Sequence, residues 1–217
     1  LRTRIYIDGF NLYYGCLRNT GFRWLNLSDF CRRYFPPEKN KIDLIKYFTA
    51  KVSARPGDED APNRQQIYLR ALRTLDDVEI HFGHFLSHPT WMPAHIPERA
   101  EQIHANGAQI FSRVLKTEEK GSDVNLASHL LADAFRDKFD VAVVISNDSD
   151  LLTPIKIVRN EIGKNVGVLN PQKRRPSRVL QNETDFFWNI RKGVLRDSQF
   201  TSELRDTTGM FHRPATW

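Results

Sequence analysis

The stretch VAVVISNDSDLL, residues 141 to 152, limits the fold of this chain more than any other. Val141 to Ile145 are apolar, β-forming and uninterrupted. Such a run has no polar face, so the strand must be covered on both sides, as in the centre of a parallel sheet packed between helices. Ser146 and Asn147 follow, then two carboxylates, Asp148 and Asp150, one residue apart. Two unit charges about 4 Å apart repel by roughly 4 kcal/mol at an effective dielectric near 20. Paired acids at the end of a buried strand therefore require a compensating partner.

The rest of the chain alternates in the way such a sheet demands. RIYI (4–7) reads as a strand, DGFN as a turn and NLYYGCLRN as a helix, while LNLSDFCRRYFP is a helix stopped by Pro36 and Pro37. IKYFTAKVSA (45–54) predicts a second strand and RPGDEDAPN an exposed loop. RQQIYLRALRTL has helical periodicity and VEIHFGHFL (78–86) alternates as a strand. Residues 87–109, with three prolines and little periodicity, read as a long loop or insertion. IFSRVLK (110–116) then predicts a strand, and VNLASHLLADAFRDKF a helix buried along one side. LLTPIKIVRNEI predicts a further helix, with Pro154 in its first turn, and KNVGVLNP the last short strand.

The pattern is α/β: a three-layer α/β/α sandwich with a mainly parallel sheet and right-handed crossovers. It spans one domain, residues 1–195, with the insertion at about 87–109. The remainder, 196–217, lacks a strong pattern and reads as a tail that is mobile or docked in an oligomer. No apolar run reaches the roughly 18 residues of a membrane span, and Cys16 and Cys31 form no CxxC pair. These features predict a soluble, cytoplasmic protein with no membrane partner. A net charge of +6 and a pI near 9.4 bias the chain toward polyanions.

In open α/β sheets, function collects at the carboxyl ends of the strands. Asp8 follows RIYI, with Gly9 and Asn11 behind it; Asp123 lies between the 110–116 strand and the next helix; Ser146, Asn147, Asp148 and Asp150 follow VAVVI. Separate segments thus deliver acids to one edge. Singly, Asp123 and Asp148 read equally as helix N-caps and Asp150 as a dipole partner. Together they form an all-oxygen donor set, with Asn11, Asn125, Asn147 and Ser146 as auxiliaries, which suits Mg²⁺ or Mn²⁺ better than zinc.

Three blocks, YIDGFNLYYG (6–15), EEKGSDVNLASHLLADAF (118–135) and VISNDSDLLTPIKIVRNEIGKNVGVL (144–169), resemble the signature blocks of the NYN family, the PIN-like, LabA-like ribonuclease domains. The resemblance spans about residues 4–170. It implies a PIN-like Rossmannoid fold and Mg²⁺-dependent RNA cleavage by an acidic cluster. By position, the family's acids fall on Asp8, Asp123, Asp148 and Asp150, with Asn11 and Ser146 as polar companions. Within the Asp123 helix the family often carries a further polar residue, for which this chain offers His129 and Asp133.

The expected activity is hydrolysis of RNA phosphodiester bonds by water activated at a metal that these aspartates hold. Lys173, Arg174, Arg175 and Arg178, reinforced by Arg191, Lys192 and Arg196, would supply a phosphate-binding wall, and Lys120 either pairs with a ligand carboxylate or touches the phosphate. Tyr13 and Tyr14 either stack on bases or pack on the sheet. His81, His84, His88 and His95 fit no standard zinc spacing. Trp91 and Met92 read as a cover for the groove or a contact in a homo-oligomer. One alternative is an RNA-binding or regulatory module without efficient turnover, which the complete set of acids disfavours. A dehalogenase-type phosphatase is another, but it needs a second acid two residues after Asp8, where Phe10 stands.

Overall fold

A computed structural model describes residues 1–94, 111–172 and 174–217. Among these, a seven-stranded sheet runs in the order β4-β3-β2-β1-β5-β6-β7. Its strands are β1 (Arg2–Asp8), β2 (Lys41–Ala50), β3 (Val78–Pro93), β4 (Phe111–Lys120), β5 (Val141–Ile145), β6 (Asn165–Asn170) and β7 (Phe186–Asn189). Every neighbouring pair is parallel except β3 with β4. This is the α/β sandwich that the apolar periodicity predicts.

Helices cover both faces. They are α1 (Gly9–Leu12), continued as a π-helical turn over Tyr13–Leu17, α2 (Leu27–Tyr34), α3 (Ala61–Leu72), α4 (Ser122–Phe135), α5 (Leu152–Lys156), α6 (Arg178–Asn182) and α7 (Lys192–Asp197). Because side chains alternate along a strand, β1 sends Ile5 and Ile7 into the core beneath α2 and α3, and Tyr6 into the core beneath α4 and α5. β5 does likewise, with Val143 and Ile145 on one side and Ala142 and Val144 on the other. All five of its residues are buried, as the reading of VAVVI requires.

The observed elements differ from the sequence expectation in several places. The second strand covers 41–50 rather than 45–54, because it pairs with β1 from its first residue, Arg2 opposite Lys41. β3 continues through Pro93, where 87–93 reads as loop; after Gly83 it leaves β2 and pairs antiparallel with β4, from His84 opposite Lys120 to Pro93 opposite Phe111. Trp91 and Met92 are exposed on this arm; residues 95–110, which hold the remainder of the predicted insertion from His95 to 109 and the first residue of the predicted 110–116 strand, lie outside the described residues. β6 is not the last strand, since β7 adds to its outer edge.

The C-terminal segment also has more order than its composition suggests. β8 (Glu203–Asp206) and β9 (Gly209–His212) form a hairpin, Phe211 is buried in the core, and Trp217 packs on Trp24 and Tyr68 at centroid distances of 6.2 and 5.6 Å. Arg70 clamps the hairpin through two 2.7 Å bonds to the Asp206 carboxylate. The segment thus docks on its own chain.

Beneath α4 lies a buried polar cluster. Asp133 accepts hydrogen bonds from Lys46 Nζ at 2.7 Å and Tyr6 Oη at 2.8 Å, with Arg4 at 3.2 Å. Lys46 Nζ also meets His129 Nδ1 at 3.2 Å. Burial pushes the Asp133 pKa up, but Lys46 and Tyr6 outweigh it and hold the group below its ordinary value. Both Lys46 and Asp133 side chains are only 7% exposed, so removing one leaves the other buried without its main partner. Asp133→Ala is expected to destabilise the fold by about 3–5 kcal/mol in urea unfolding, and Asp133→Leu with Lys46→Met to recover most of that loss. Equal destabilisation by the double variant would show that packing, rather than the ion pair, carries the effect.

Candidate functional site

From β1 the chain moves outward through β2, β3 and β4, and α4 then returns it to β5 on the opposite side of β1. The β1/β5 junction is therefore the switch point of the sheet, where connections leave in opposite directions and open a crevice at the carboxyl ends. Asp8 ends β1, and Ser146, Asn147 and Asp148 follow β5.

Asp8 is 4% exposed. Its Oδ1 accepts from Asn11 N at 2.8 Å and caps α1, and its Oδ2 accepts from Ser146 Oγ at 2.9 Å. Ser146 Oγ in turn accepts from Asp148 N at 3.1 Å. Asn11 Oδ1 accepts from Asn147 N at 3.1 Å, and Asn147 reaches on through Nδ2 to the Arg175 carbonyl at 2.8 Å and through Oδ1 to Ser177 N at 2.7 Å. Asn11, Ser146 and Asn147 thus bind the loops after β1, β5 and β6 into one frame. Gln172, bridging Asn147 and Asn11, is a member that sequence reasoning missed; its one signal was its place just after a strand.

Asp8, Asp123 and Asp148 line a common cleft of about 300 Å³. Asp148 has two roles, since its Oδ1 also accepts from Asp150 N at 2.9 Å and caps the short helical turn Ser149–Leu151. Asp150 is exposed and does not line the cleft. Asp123 is not the cap of its helix. Gly121, with φ of 95°, occupies that position, and Glu119 satisfies the first turn by accepting from Ser122 N at 3.0 Å and Ser122 Oγ at 2.7 Å.

Glu119 is a fourth cleft carboxylate, and sequence reasoning passed over it. Gly83 makes this approach possible, because a Cβ there would fall 2.6 Å from the Lys120 carbonyl oxygen and 2.9 Å from Ser122 N. Neither His129 nor Asp133 joins the cleft; both serve the cluster beneath α4. Asn125 instead donates to the Phe82 carbonyl at 3.3 Å and ties α4 to β3.

The electrostatics are those of crowded acids, with Arg55 in the same lining but ion-paired with none of them among the described residues. Burial pushes the Asp8 pKa up, the Asn11 and Ser146 hydrogen bonds pull it back, and the Asp148 charge adds to the rise. Burial, followed by the charges of Asp8, Asp148, Glu119 and Asp150, pushes Asp123 up to about 6. No Lys or Arg is ion-paired with any of these groups among the described residues. Lys120 pairs instead with Glu118 at 3.3 Å. In chemical type the cluster suits a hard divalent cation. In spacing it is open: among the described residues, no three acidic, His or Cys side chains stand close enough to chelate a metal as they lie.

A basic groove of about 550 Å³ flanks the cleft, with Arg18, Arg174, Arg175 and Lys192 among its lining. None of these four is ion-paired among the described residues; the Arg18 guanidinium lies 5.4 Å from the Tyr14 ring centroid. Of the basic run expected to face phosphate, Arg174 and Arg175 line this groove, Arg178 is exposed at the start of α6 outside its lining, and Lys173 lies outside the described residues. Tyr14 is exposed and borders both the groove and the cleft.

The NYN domain family matches residues 2–191. A curated relative, named 6-hydroxy-3-succinoylpyridine 3-monooxygenase HspA, from Pseudomonas putida (strain DSM 28022 / S16), is 35% identical over an alignment of 190 residues that covers 79% of this chain. The match covers 60% of that relative's length. A crystal structure of a protein of unknown function, VPA0982 from Vibrio parahaemolyticus RIMD 2210633, shares the fold with a TM-score of 0.55 at 18% identity, covering 88% of this chain and 93% of that one. Among the described residues no helix is long and apolar enough to cross a membrane.

An acid whose pKa is raised in the folded state favours folding when protonated. Stability contributed by Asp123 should thus rise as pH falls through about 6 and level off below its ordinary 3.8. At pH 7.5 the charged group costs stability, about 1 kcal/mol once solvent screening of a half-exposed side chain is allowed for. Asp123→Asn is expected to raise the thermal midpoint there by about 2–4 °C, with the gain over wild type gone by about pH 4. An offset independent of pH would contradict this electrostatic origin.

Proposed function

The chain belongs to the NYN domain family, and on that PIN-like nuclease scaffold we propose a metal-dependent hydrolase that cleaves RNA phosphodiester bonds. The observation that carries the proposal is the convergence of Asp8, Asp123 and Asp148, none of them ion-paired with a cation among the described residues, at the switch point of the sheet. Asp8, Asp123 and Asp148 would hold Mg²⁺ or Mn²⁺, drawn together from their open arrangement, while Asp150 adds negative potential from outside the cleft. When bound, the ion neutralises charge on a phosphate and acidifies water.

The chain's own residues do the rest. Asp8, fixed by Asn11 and Ser146, supplies a carboxylate whose position is independent of substrate. Asp148 is fixed by its cap to Asp150. The basic groove offers Arg18, Arg174, Arg175 and Lys192 to successive phosphates, and exposed Tyr14 offers a ring face to a base beside the cleft. A single strand in this groove would pass its backbone close to the carboxylates.

A second reading has specific support. The relative named as a pyridine monooxygenase shares this family scaffold, and an aromatic-lined cavity adjoins the cleft here. On that reading the site inserts one atom of O₂ into a pyridine-type acid, and the other leaves as water at the expense of a two-electron reductant.

The assay that separates the two incubates the protein with single-stranded and structured RNA in Mg²⁺, Mn²⁺ or EDTA, and in parallel follows O₂ uptake with a pyridine acid and a nicotinamide reductant. Cleavage that requires the metal and falls in Asp8→Asn and Asp148→Asn by more than the roughly 100-fold typical of losing an outer-shell partner supports hydrolysis. Cleavage that survives either substitution overturns it. Mg²⁺ should also raise the thermal midpoint of wild type and not of Asp148→Asn. Independently, Arg174→Ala with Arg175→Ala should lower the dependence of RNA affinity on salt by about 0.7 in log–log slope for each phosphate that is no longer neutralised; an unchanged slope would remove the groove from the RNA path.

A further inference from the structure

A third, smaller cavity of about 150 Å³ adjoins the carboxylate cleft. It lies between α1, the end of β2, the start of α3 and the C-terminal segment, and its walls combine aromatic rings with polar and charged side chains. Tyr47 and Tyr68 meet edge to face with centroids 6.5 Å apart, and Tyr68 meets Trp217 at 5.6 Å and 60°. Gly9 admits the Tyr47 ring, since a Cβ there would fall 2.7 Å from the Tyr47 hydroxyl oxygen.

Most polar groups around this cavity are already engaged. Gln65 donates to the Ala50 carbonyl and accepts from Val52 N, both at 2.9 Å. Arg64 is paired with Asp58 and Asp60. Arg23 donates to the Thr20 and Thr216 carbonyls. Arg55 differs, because it makes no side-chain hydrogen bond or ion pair among the described residues. It also lines both this cavity and the carboxylate cleft, together with Phe10, Tyr14 and Phe85.

A cavity near 150 Å³ has room for one benzene-sized ring. Ring walls that present edges as well as faces favour an aromatic guest over an aliphatic one. A cation that has no partner among the described residues, at a mouth otherwise bordered by acids, suits an anion and offsets the repulsion that Asp8 and Asp148 would exert on it. We propose that this cavity binds a single six-membered aromatic ring bearing an anionic group, the ring held among Tyr47, Tyr68 and Trp217 and the anion on Arg55. Such a group reaches the pocket either as a pyrimidine nucleotide of a polynucleotide or as a free aromatic carboxylic acid. The proposal does not rest on phosphodiester hydrolysis.

Calorimetric titration tests it, with uridine 5′-monophosphate and pyridine-3-carboxylate as probes and ribose 5-phosphate and cyclohexanecarboxylate as counterparts lacking the aromatic ring. One aromatic anion should bind at least about tenfold tighter than its counterpart. Arg55→Ala should weaken it by about tenfold, the usual weight of a hydrogen bond to a charged group. Ser53→Trp, at an exposed rim position where folding is not at stake, should abolish binding by filling the mouth. Preference for the nucleotide assigns the pocket to a polynucleotide, and preference for the pyridine acid to a free small molecule; both support it. Binding retained in Asp148→Asn, alongside lost RNA cleavage, keeps this proposal separate from the hydrolytic one. Equal binding of ringed and ringless anions, or wild-type affinity in Arg55→Ala, would overturn it.

Discussion

Asp8 is a carboxylate buried at the end of a central strand, and the loops around the switch point are arranged by its need for hydrogen-bond donors. Burial of a charged oxygen is costly unless it accepts strong hydrogen bonds. Asn11 N and Ser146 Oγ supply them, one from the segment after β1 and one from the segment after β5. Those two donors fix where α1 begins and how the β5 loop leaves the sheet. Through Asn11, Asn147 and Gln172 the same frame extends to the loop after β6. Three strand ends are therefore held in register by polar contacts that an apolar core cannot provide.

The two faces of the cleft's surroundings handle charge in opposite ways. Beneath α4, Asp133 is neutralised by Lys46 and Arg4 and supported by Tyr6, so its charge stabilises the native pairing. Above the sheet edge, Asp8, Asp123, Asp148 and Glu119 share a cleft with Arg55 but are ion-paired with no cation among the described residues, and the Asp123 proton is held up to about 6. Stability alone would have ion-paired them. That charge is instead available to a ligand, and strain of this kind concentrates at functional sites.

The arrangement of cavities extends that point. The acidic cleft adjoins the aromatic cavity through Phe10, Tyr14, Arg55 and Phe85 and meets the basic groove at Tyr14. Tyr14 thus borders all three, its ring half-exposed and packed against Phe10, Tyr13 and the Arg18 guanidinium. Apolar, cationic and anionic surfaces within one residue's reach suit a substrate that is itself partly ring and partly anion. Nucleotides have that character, and so do aromatic acids.

Much of this was legible in the residues alone. VAVVI is apolar on both faces, which dictated a doubly covered parallel strand, and acids directly after strands dictated the edge at which they gather. Local chemistry of that kind depends on nearest neighbours in sequence. The roles that depend on pairing across the sheet were not legible. Asp133 and Asp123 sit on one helix, yet one faces Lys46 and the other the cleft, a division set by how α4 rotates against β1 and β2. Glu119 and Arg55 entered only because the long β3 carries β4 back beside the cleft and because the loop after β2 folds over α1. The sequence determined the fold class and the acids at β1 and β5, because periodicity and strand ends are local properties; tertiary structure alone decided which charges are neutralised and which remain open, because that depends on distances between segments far apart in the chain.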